Sequence, residues 1–353
     1  MRLSMVDLSP VPPGGTAIDA FADTVDLARR AEAWGYSRFW VAEHHGAGGG
    51  NAGSNPEVLI ARVAAETERI RVGSGTVLLN HYSPFKVAET FRVLHAMSPD
   101  RIDLGLGRAN GLPVVDYAMQ RDRSRIQQVD DYAEQVAEVM GWLDAAFPDD
   151  HPFSQVRIVP GVPGNPQPWV LGSSPSSAVL AGRLGLRYCF AGFINPRAAV
   201  TAAQTYREHF TPSPFADGVQ EPHVGLGINV SCADTDADGD RLRSTVEVFY
   251  RRLRRGDLPS GPLPTPNEAV AELGGVPAPS DVTPGSWPQH ISGSPDTVRG
   301  MLQIMAADLG ATEIVLQDMI ARRSDRLRSY QLLAEVFELS TVPASAELMT
   351  GAS

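Results

Sequence analysis

The sequence contains few cysteines, almost no lysine and no long apolar run. Its two cysteines, Cys189 and Cys232, do not form a Cys-x-x-Cys pair, so neither a disulfide framework nor a thiolate zinc site is indicated. Acidic residues outnumber basic ones by 41 to 30, which gives a formal net charge of −11, and Lys86 is the single lysine. This balance argues against binding to nucleic acids or to anionic lipids. No run reaches the roughly 18 apolar residues of a membrane span.

The composition is otherwise that of a folded globular protein. Apolar residues make up 43% of the 353 residues and charged residues 20%, so we expect a sizeable buried core. This length accommodates two average domains or one large barrel. The first 15 residues have no continuous apolar stretch like that of a secretory signal, and we therefore expect a cytoplasmic protein.

Short apolar segments alternate along the chain with segments of helical periodicity. The first such pair is an apolar segment at 1–8 and a helical pattern at 19–34, which Gly35 ends. Seven further pairs follow in the same order. The eight predicted strands are 1–8, 38–43, 70–79, 101–107, 168–172, 187–191, 223–231 and 312–316.

Apolar strands separated by helices predict a parallel sheet, and eight such units close naturally as a (β/α)8 TIM barrel. We expect a single barrel domain over 1–340, followed by a C-terminal tail at 341–353. Two long connections interrupt it, at 108–125 and at 256–289. The second holds eight prolines and five glycines in 34 residues, and we interpret it as a mobile lid, with a plain surface excursion as the alternative.

Active sites of such barrels lie at the carboxyl ends of the strands, where Glu43, His44 and His45 form the densest ionisable cluster. Strand alternation places Glu43 and His45 on one side and His44 on the other. A histidine there could transfer protons at neutral pH, or it could instead cap a backbone carbonyl at the rim. A metal site would need about three converging ligands, which the remaining histidines do not supply, and we predict none.

Two further segments carry ligand-binding patterns, one at a strand end and one inside a strand. Gly172 to Ser177 joins a strand to a helix whose free amides and serine hydroxyls could bind an anion, with help from Arg108 at the neighbouring strand end. Ordinary serine capping explains the same pattern.

The glycines of 73–76 lie inside a predicted strand, which indicates either a bulge that approaches a flat ligand or close packing on a helix. The 105–111 segment is a poor dinucleotide fingerprint because its last glycine is misplaced.

These blocks resemble the bacterial luciferase-like monooxygenase family. The similarity rests on WVAEHH (40–45), NPEVLIA (55–61), RVGSGTVLLNHYSPFKVAE (71–89), RIDLGLGRANG (101–111), GSSPSSA (172–178) and SGSPDTV (292–298). The resemblance is greatest to single-subunit members that tailor antibiotics. It implies a (β/α)8 barrel that binds reduced FMN, activates molecular oxygen as a flavin 4a-hydroperoxide and oxygenates a small-molecule substrate.

The resemblance also implies roles for individual residues. It assigns catalysis to His44, with His45 beside it as a second candidate, and it places Glu43 near the flavin ring. It assigns Ser74, Gly75 and Thr76 to cofactor binding, with a non-prolyl cis peptide at Gly75–Thr76 whose bulge supports the ring. It assigns the FMN phosphate to Arg108, Ser173, Ser174 and Ser177. The light-emitting members carry a reactive cysteine where this chain has Gly107, so no thiol chemistry is expected.

The expected reaction is an epoxidation or hydroxylation of an organic small molecule, for example an aromatic polyketide or another secondary metabolite. A deazaflavin-dependent dehydrogenase or reductase shares the barrel and the bulge, but the polyglutamate tail of that coenzyme favours a basic groove, which a chain of net charge −11 does not suggest. A noncatalytic flavin-binding protein is an alternative of another class. The family also leads us to expect a separate flavin reductase and a homodimer formed through 56–67 and 84–95.

Overall fold

The computed structural model describes residues 1–46, 50–108, 113–119, 130–257 and 261–340. The predicted tail at 341–353, and parts of the two long connections (109–112, 120–125 and 258–260), lie outside the described residues. The strands within these ranges are β1 (Arg2–Asp7), β2 (Arg38–Val41), β3 (Arg71–Ser74), β4 (Val77–Leu78), β5 (Ile102–Gly107), β6 (Gln167–Gly172), β7 (Arg187–Ala191), β8 (Val224–Cys232), β9 (His290–Gly293) and β10 (Glu313–Gln317).

The helices lie between and after these strands. They are α1 (Ala17–Trp34), α2 (Pro56–Ala65), α3 (Pro84–Met97), α4 (Pro113–Met119), α5 (Tyr132–Asp144), α6 (Pro175–Leu184), α7 (Ala199–Glu208), α8 (Asp236–Arg254), α9 (Pro266–Leu273), α10 (Pro295–Leu309) and α11 (Arg323–Val336). Several begin with proline, whose fixed φ and missing amide suit the first helical position. Within the described residues, none of the helices combines the length and the apolarity that crossing a lipid bilayer demands.

The sheet closes on itself. Its strands are paired in the order β10, β1, β2, β3, β5, β6, β7, β8, and β10 pairs in turn with β8. Every one of these pairings is parallel, as between Met5 of β1 and Phe39 of β2. The predicted (β/α)8 TIM barrel is therefore confirmed.

The predicted strand at 70–79 is broken in the structure into β3 and β4. Both pieces pair with β5, Gly73 opposite Asp103 and Val77 opposite Leu106. Four residue steps on the broken strand therefore face three steps on β5, which defines a bulge of one residue. The peptide bond between Gly75 and Thr76 lies within it and is cis, as the resemblance implies.

β9 was not among the eight predicted strands. It pairs with the carboxyl-terminal half of β8, with Asn229 opposite His290 and Cys232 opposite Gly293. It therefore continues the sheet beyond the carboxyl end of β10. Four residues at the end of a proline-rich segment carry too short a pattern to predict a strand. The addition lengthens the wall on the side of the barrel where β8 and β10 meet.

The strands bury both faces, as the parallel arrangement requires. Alternate residues such as Leu3 and Met5 point outward and pack with the helices in the larger apolar cluster. Val6 and Trp40 belong to a second cluster that fills the barrel interior.

In a (β/α)8 barrel the helix after a strand normally covers the outer wall. Helix α8, which follows β8, packs elsewhere. Its Val246, Phe249 and Tyr250 pack with the interior cluster at the carboxyl end of the barrel. The outer wall of this unit is covered instead by α10, which contributes Leu302 and Met305 to the outer cluster. α8 therefore lies across the mouth of the barrel, and the excursion after β8 begins earlier than the predicted lid at 256–289.

A network of buried charges fills the amino-terminal end of the barrel. The guanidinium of Arg38 contacts Asp103 at 2.8 Å and Glu313 at 2.9 Å. It also lies 4.9 Å from the ring centre of Trp169. Burial alone would raise the pKa of Glu313, but the charges of Arg38 and Arg2 and the hydrogen bonds from His223 and Ser4 together outweigh it and lower that pKa to about 2. This end of the barrel is closed and charge-paired.

Candidate active site

The cluster at the end of β2 brings Glu43 and His45 together. Glu43 and His45 lie on one side, where the Nε2 of His45 is 2.6 Å from a carboxylate oxygen of Glu43. Alternation from Trp40, which is inside the barrel, places His44 on the inner side. The two histidines therefore have different surroundings.

The carboxylate of Glu43 is fully buried and is held by three donors. The backbone amide of Leu78 donates to one oxygen at 2.8 Å. The Tyr82 hydroxyl donates to the other oxygen at 2.6 Å, beside the contact from His45. Glu43 thus joins the end of β2 to the segment just after the cis peptide. Since this carboxylate has no exposed surface, its influence on a ligand in the mouth must pass through its neighbours.

His44 has a side chain that solvent reaches at the mouth of the barrel. Incomplete hydration there lowers its pKa, while the negative charge of Glu43 acts in the opposite direction. The shift favours the neutral imidazole, which is the form that accepts a proton. Nearby Glu57, in the first turn of α2, has a pKa raised by burial and by the charge of Glu43.

Helix α4, from the first predicted insertion, packs beside this cluster. Its Asp116 has an oxygen 3.6 Å from Nε2 of His81, whose ring lies edge-on to His45 with 6.0 Å between centres. Burial lowers the pKa of His81, and the charge of Asp116 opposes that change. The described part of the insertion is thereby joined to the histidine cluster.

The strand bulge forms a smooth inner surface. The hydroxyl of Ser74 donates to the carbonyl of Gly105 at 2.9 Å and accepts from its amide at 3.0 Å, so it holds β3 against β5. Gly107 faces Thr76, and a Cβ at position 107 would lie 2.4 Å from the Thr76 hydroxyl oxygen. Thr76 therefore occupies the space that a side chain at 107 would take.

The amino end of α6 has the features of an anion site. Ser174 occupies the N-cap position, but its side chain makes no capping hydrogen bond and contacts the Ser176 hydroxyl at 2.8 Å instead. Ordinary serine capping is therefore not what the structure shows. The Ser177 hydroxyl donates to the Ser174 carbonyl at 2.7 Å. The first amides of the helix have no partner within it, and they carry the positive end of its dipole.

Arg108 follows β5, whose neighbour β6 leads into this helix. Leu106 lies opposite Val170, so Arg108 and Ser173 extend from adjacent strand ends. The Arg108 guanidinium is partly exposed and pairs with Asp130. The structure thus places the four predicted phosphate residues at neighbouring strand ends.

Beyond this cluster, the described residues include a charged cleft but no metal site. Within those ranges no three histidine, cysteine or carboxylate side chains are grouped as a metal ion requires. A cleft of about 260 Å³ lies between α8, α9 and α11, lined by Asp238, Arg241 and Arg328 among others. It is away from the Glu43 cluster, and both signs of charge line it.

A family model described as luciferase-like monooxygenase matches residues 1–313. The chain belongs to the luciferase-like monooxygenase family. It is therefore an oxygenating oxidoreductase, and the resemblance stated from the sequence motifs is confirmed.

Other luciferase-like monooxygenases align over almost the whole chain. A luciferase-like monooxygenase of Escherichia coli is 36% identical over 339 residues, covering 96% of this chain and 97% of the relative. An N-acetyl-S-alkylcysteine monooxygenase of Bacillus subtilis is 34% identical, covering 95% and 98%. The crystal structure of apo-MsnO8 superposes with a TM-score of 0.85 at 45% identity, covering 96% and 98%.

More distant structures share the fold alone. The oxygenating constituent of 3,6-diketocamphane monooxygenase from Pseudomonas putida, solved in complex with FMN, has a TM-score of 0.66 at 20% identity. An F420-dependent secondary alcohol dehydrogenase has a TM-score of 0.62 at 15% identity. One of these structures is of an enzyme in complex with FMN and the other of an F420-dependent enzyme, so the shared fold does not identify the coenzyme.

Sequence reasoning missed two groups near the cluster. Tyr82 stands in the loop before α3, where its hydroxyl reaches back to Glu43. The sequence places Tyr82 directly after the strand end at 79–81, which could have marked it as a site residue. It does not indicate that the tyrosine hydroxyl bonds to Glu43. Phe249 and Tyr250 were also missed, because the amphipathic pattern of α8 does not reveal which surface it packs on.

Proposed function

We propose that this luciferase-like monooxygenase uses reduced FMN to epoxidise or hydroxylate an organic small molecule, such as an aromatic polyketide or another secondary metabolite. The observation that carries the choice of FMN is the uncapped amino end of α6 next to the strand end that bears Arg108. When bound, reduced flavin supplies the two electrons with which one atom of O2 enters the substrate and the other leaves as water.

In this proposal Arg108 and the α6 amides at Ser176 and Ser177 hold the phosphate, with Ser173 and Ser174 in the same loop. A single phosphate suits one guanidinium and one helix terminus. A polyglutamate tail would need further cations, and the chain has one lysine and a net charge of −11. The charge balance therefore supports FMN over the deazaflavin coenzyme.

The remaining residues position the ring and control protons and water. We assign the flat ring to the surface formed by the Gly75–Thr76 bulge and Gly107, because Gly107 presents no side chain there. Ser74 supports that surface from behind rather than binding the ligand. His44, neutral and accessible, holds or moves a proton at its imidazole nitrogen, and His45 is the second group that handles a proton. α8 helps to exclude water from the mouth.

A binding experiment tests the assignment of the cofactor. FMN and the deazaflavin coenzyme F420 are titrated anaerobically into the purified protein, and Kd is measured from absorbance and fluorescence. We expect tighter binding of FMN, and about a tenfold or greater loss in Arg108→Gln, since a hydrogen bond between charged groups is removed. Arg183→Gln, at the exposed opposite end of the same helix, is the matched control and should keep its Kd. Tighter binding of F420 would move the assignment to a dehydrogenase or reductase.

A labelling experiment tests the reaction. The protein is mixed with photoreduced FMN, 18O2 and two probes, an aromatic polyketide and N-acetyl-S-benzylcysteine, the latter chosen because one relative is named for that class. Mass spectrometry should show one 18O atom in the product of an accepted probe. Binding of FMN without incorporation into any member of a broader panel of aromatic and thioether compounds would favour a noncatalytic flavin-binding protein.

The proposal includes a cytoplasmic location, a separate flavin reductase and a homodimer through α2 and α3. Three apolar side chains are exposed on these helices, Val58, Val93 and Met97, and a second copy would cover them. Light scattering after size exclusion should give twice the chain mass of 37.9 kDa. Val58→Arg should shift the protein towards the single-chain mass if the assignment is correct.

A further inference from the structure

Glu43 is a buried carboxylate held mainly by uncharged donors. Among the described residues no arginine or lysine is paired with it, and its three contacts are the Leu78 amide, the Tyr82 hydroxyl and His45. A buried anion is stable only when its oxygens accept hydrogen bonds, so each donor has a large effect on its basicity. Tyr82 and His45 share one oxygen, with 3.4 Å between the tyrosine hydroxyl and Nε2 of His45.

Tyr82 is a reliable donor in this position. Burial raises the pKa of its hydroxyl, and the hydrogen bond to Glu43 and the negative charge of that group raise it further. The hydroxyl therefore remains protonated throughout the working pH range. Tyr82 lies just before α3, so its hydrogen bond ties the start of that helix to the end of β2.

The geometry also defines the protonation of His45. An ionised carboxylate only accepts hydrogen bonds, so the 2.6 Å contact requires a proton on Nε2 of His45. The neutral ring then carries its lone pair on Nδ1, the nitrogen that faces away from Glu43. A fixed tautomer of this kind makes Nδ1 an acceptor for a proton or for a hydrogen bond from a ligand.

We propose that Tyr82 is a positioning residue of the oxygenation site. Its hydroxyl holds the Glu43 carboxylate in place, and Glu43 in turn keeps His45 in the tautomer with an unprotonated Nδ1. The inference rests on the proposed function and extends it to a residue that the sequence motifs do not single out. Within the described ranges, the other ionisable groups that face this trio are His44 at the end of β2, Glu57 on α2, His81 before α3 and Asp116 on α4.

The decisive variant is Tyr82→Phe, which removes one oxygen atom. Without this donor the Glu43 oxygen becomes more basic and holds the His45 proton more tightly. The acid limb of the kcat profile should therefore move to higher pH, by about half a unit to one unit, and kcat on that limb should fall by about threefold to at most tenfold. The Kd for FMN should remain within about twofold, because Tyr82 does not contact the ligand. A lower kcat with an unshifted pH profile would overturn the proposal.

Tyr36→Phe is the matched control. Its buried hydroxyl donates at 2.7 Å to the Tyr330 carbonyl, so the substitution removes a comparable hydrogen bond away from the site. We expect a similar change in thermal midpoint for the two variants, but a shifted pH profile only for Tyr82→Phe. A shift of equal size in both variants would assign Tyr82 a structural role alone.

A second measurement does not depend on turnover. Nitrogen-15 NMR of histidine-labelled protein, with His45→Gln used to assign the signals, reports the tautomer of His45 without flavin. We expect the Nε2–H form in the wild type, and titration of His45 at higher pH in Tyr82→Phe. An Nδ1–H tautomer in the wild type would overturn the proposal even if oxygenation is observed. Absence of oxygenation with the expected tautomer would instead refute the proposed function alone.

Discussion

The two ends of the barrel each bury carboxylates, but they stabilise them differently. At the amino end, Asp103 and Glu313 are paired with the guanidinium of Arg38. At the carboxyl end, Glu43 is held by an amide, a hydroxyl and a histidine. A carboxylate beside a fixed cation stays ionised over a wide pH range, whereas one held by neutral donors and a histidine responds to small changes. We therefore expect the first arrangement to contribute to stability and the second to the proton transfer proposed for this site.

The largest expected effect comes from breaking the amino-end network. Arg38→Met keeps a side chain of similar length but removes the buried cation that Asp103 and Glu313 share. This leaves Asp103 with Arg71 at 2.8 Å and Glu313 with Arg2 at 3.8 Å. Removing one partner of a buried ion pair costs about 3 to 5 kcal/mol, and we expect a loss of that size in the free energy of unfolding. Chemical denaturation at pH 7 measures it. A loss below about 1 kcal/mol would show that the network is not rigidly paired.

The pH dependence of stability provides a control for that experiment. The pKa of Glu313 is lowered to about 2 from an ordinary value of 4.5. Its contribution is therefore present above about pH 4.5 and is lost as the pH falls towards 2. Glu313→Gln removes this carboxylate. The free energy of unfolding of this variant should therefore decline less between pH 4.5 and pH 2 than that of the wild type.

The next effect concerns the carboxyl end, where His44→Ala should leave folding intact. We expect at least a tenfold loss of oxygenation, in line with the 10²- to 10⁴-fold typical of general acid and base groups. Stopped-flow kinetics with photoreduced FMN, together with Kd for FMN, separates the chemical step from binding. An unchanged turnover rate would remove His44 from the mechanism.

A smaller effect concerns the contact between Gly107, at the end of β5, and Thr76 in the bulge. Gly107→Cys places a Cβ 2.4 Å from the Thr76 hydroxyl oxygen, so Thr76 must move. Overpacking of this kind costs about 1 to 3 kcal/mol, which differential scanning calorimetry would show as a lower Tm. Thr76→Ala combined with Gly107→Cys should recover part of the loss, because it removes the hydroxyl and methyl contacts but leaves the Thr76 Cβ 2.9 Å from the new Cβ. Equal Tm values for the single and double variants would contradict the contact.

The smallest effect uses an ion pair on the surface of the excursion after β8. Arg252 on α8 pairs with Glu272 on α9, where solvent reaches both side chains. Exposed pairs contribute about 0 to 1 kcal/mol, so Glu272→Gln should change the free energy of unfolding by less than 1 kcal/mol. A loss as large as that of Arg38→Met would erase the distinction between buried and exposed pairs.

The sequence predicts the eight units well because each strand and helix has its own local pattern. The bulge and the spacing of Glu43 and His45 are local features too, so the motifs around Gly75 and Glu43 are sufficient to expect them. The contact from Tyr82 and the course of α8 across the mouth depend on residues far apart in the chain. Periodicity shows that a helix has an apolar face but does not show whether that face meets the outside of the barrel or its interior.

β9 has a consequence for how such enzymes diverge. The excursion leaves the barrel after Cys232 and returns at Gly293, and these two residues are paired neighbours, with the Ala233 amide donating to the Gly293 carbonyl at 3.1 Å. Its two ends therefore stay together whatever lies between them, and doubling a loop's length costs only about 0.6 kcal/mol in closure entropy. The chain between β8 and β9 can therefore vary in length at little entropic cost while the two strands keep their register.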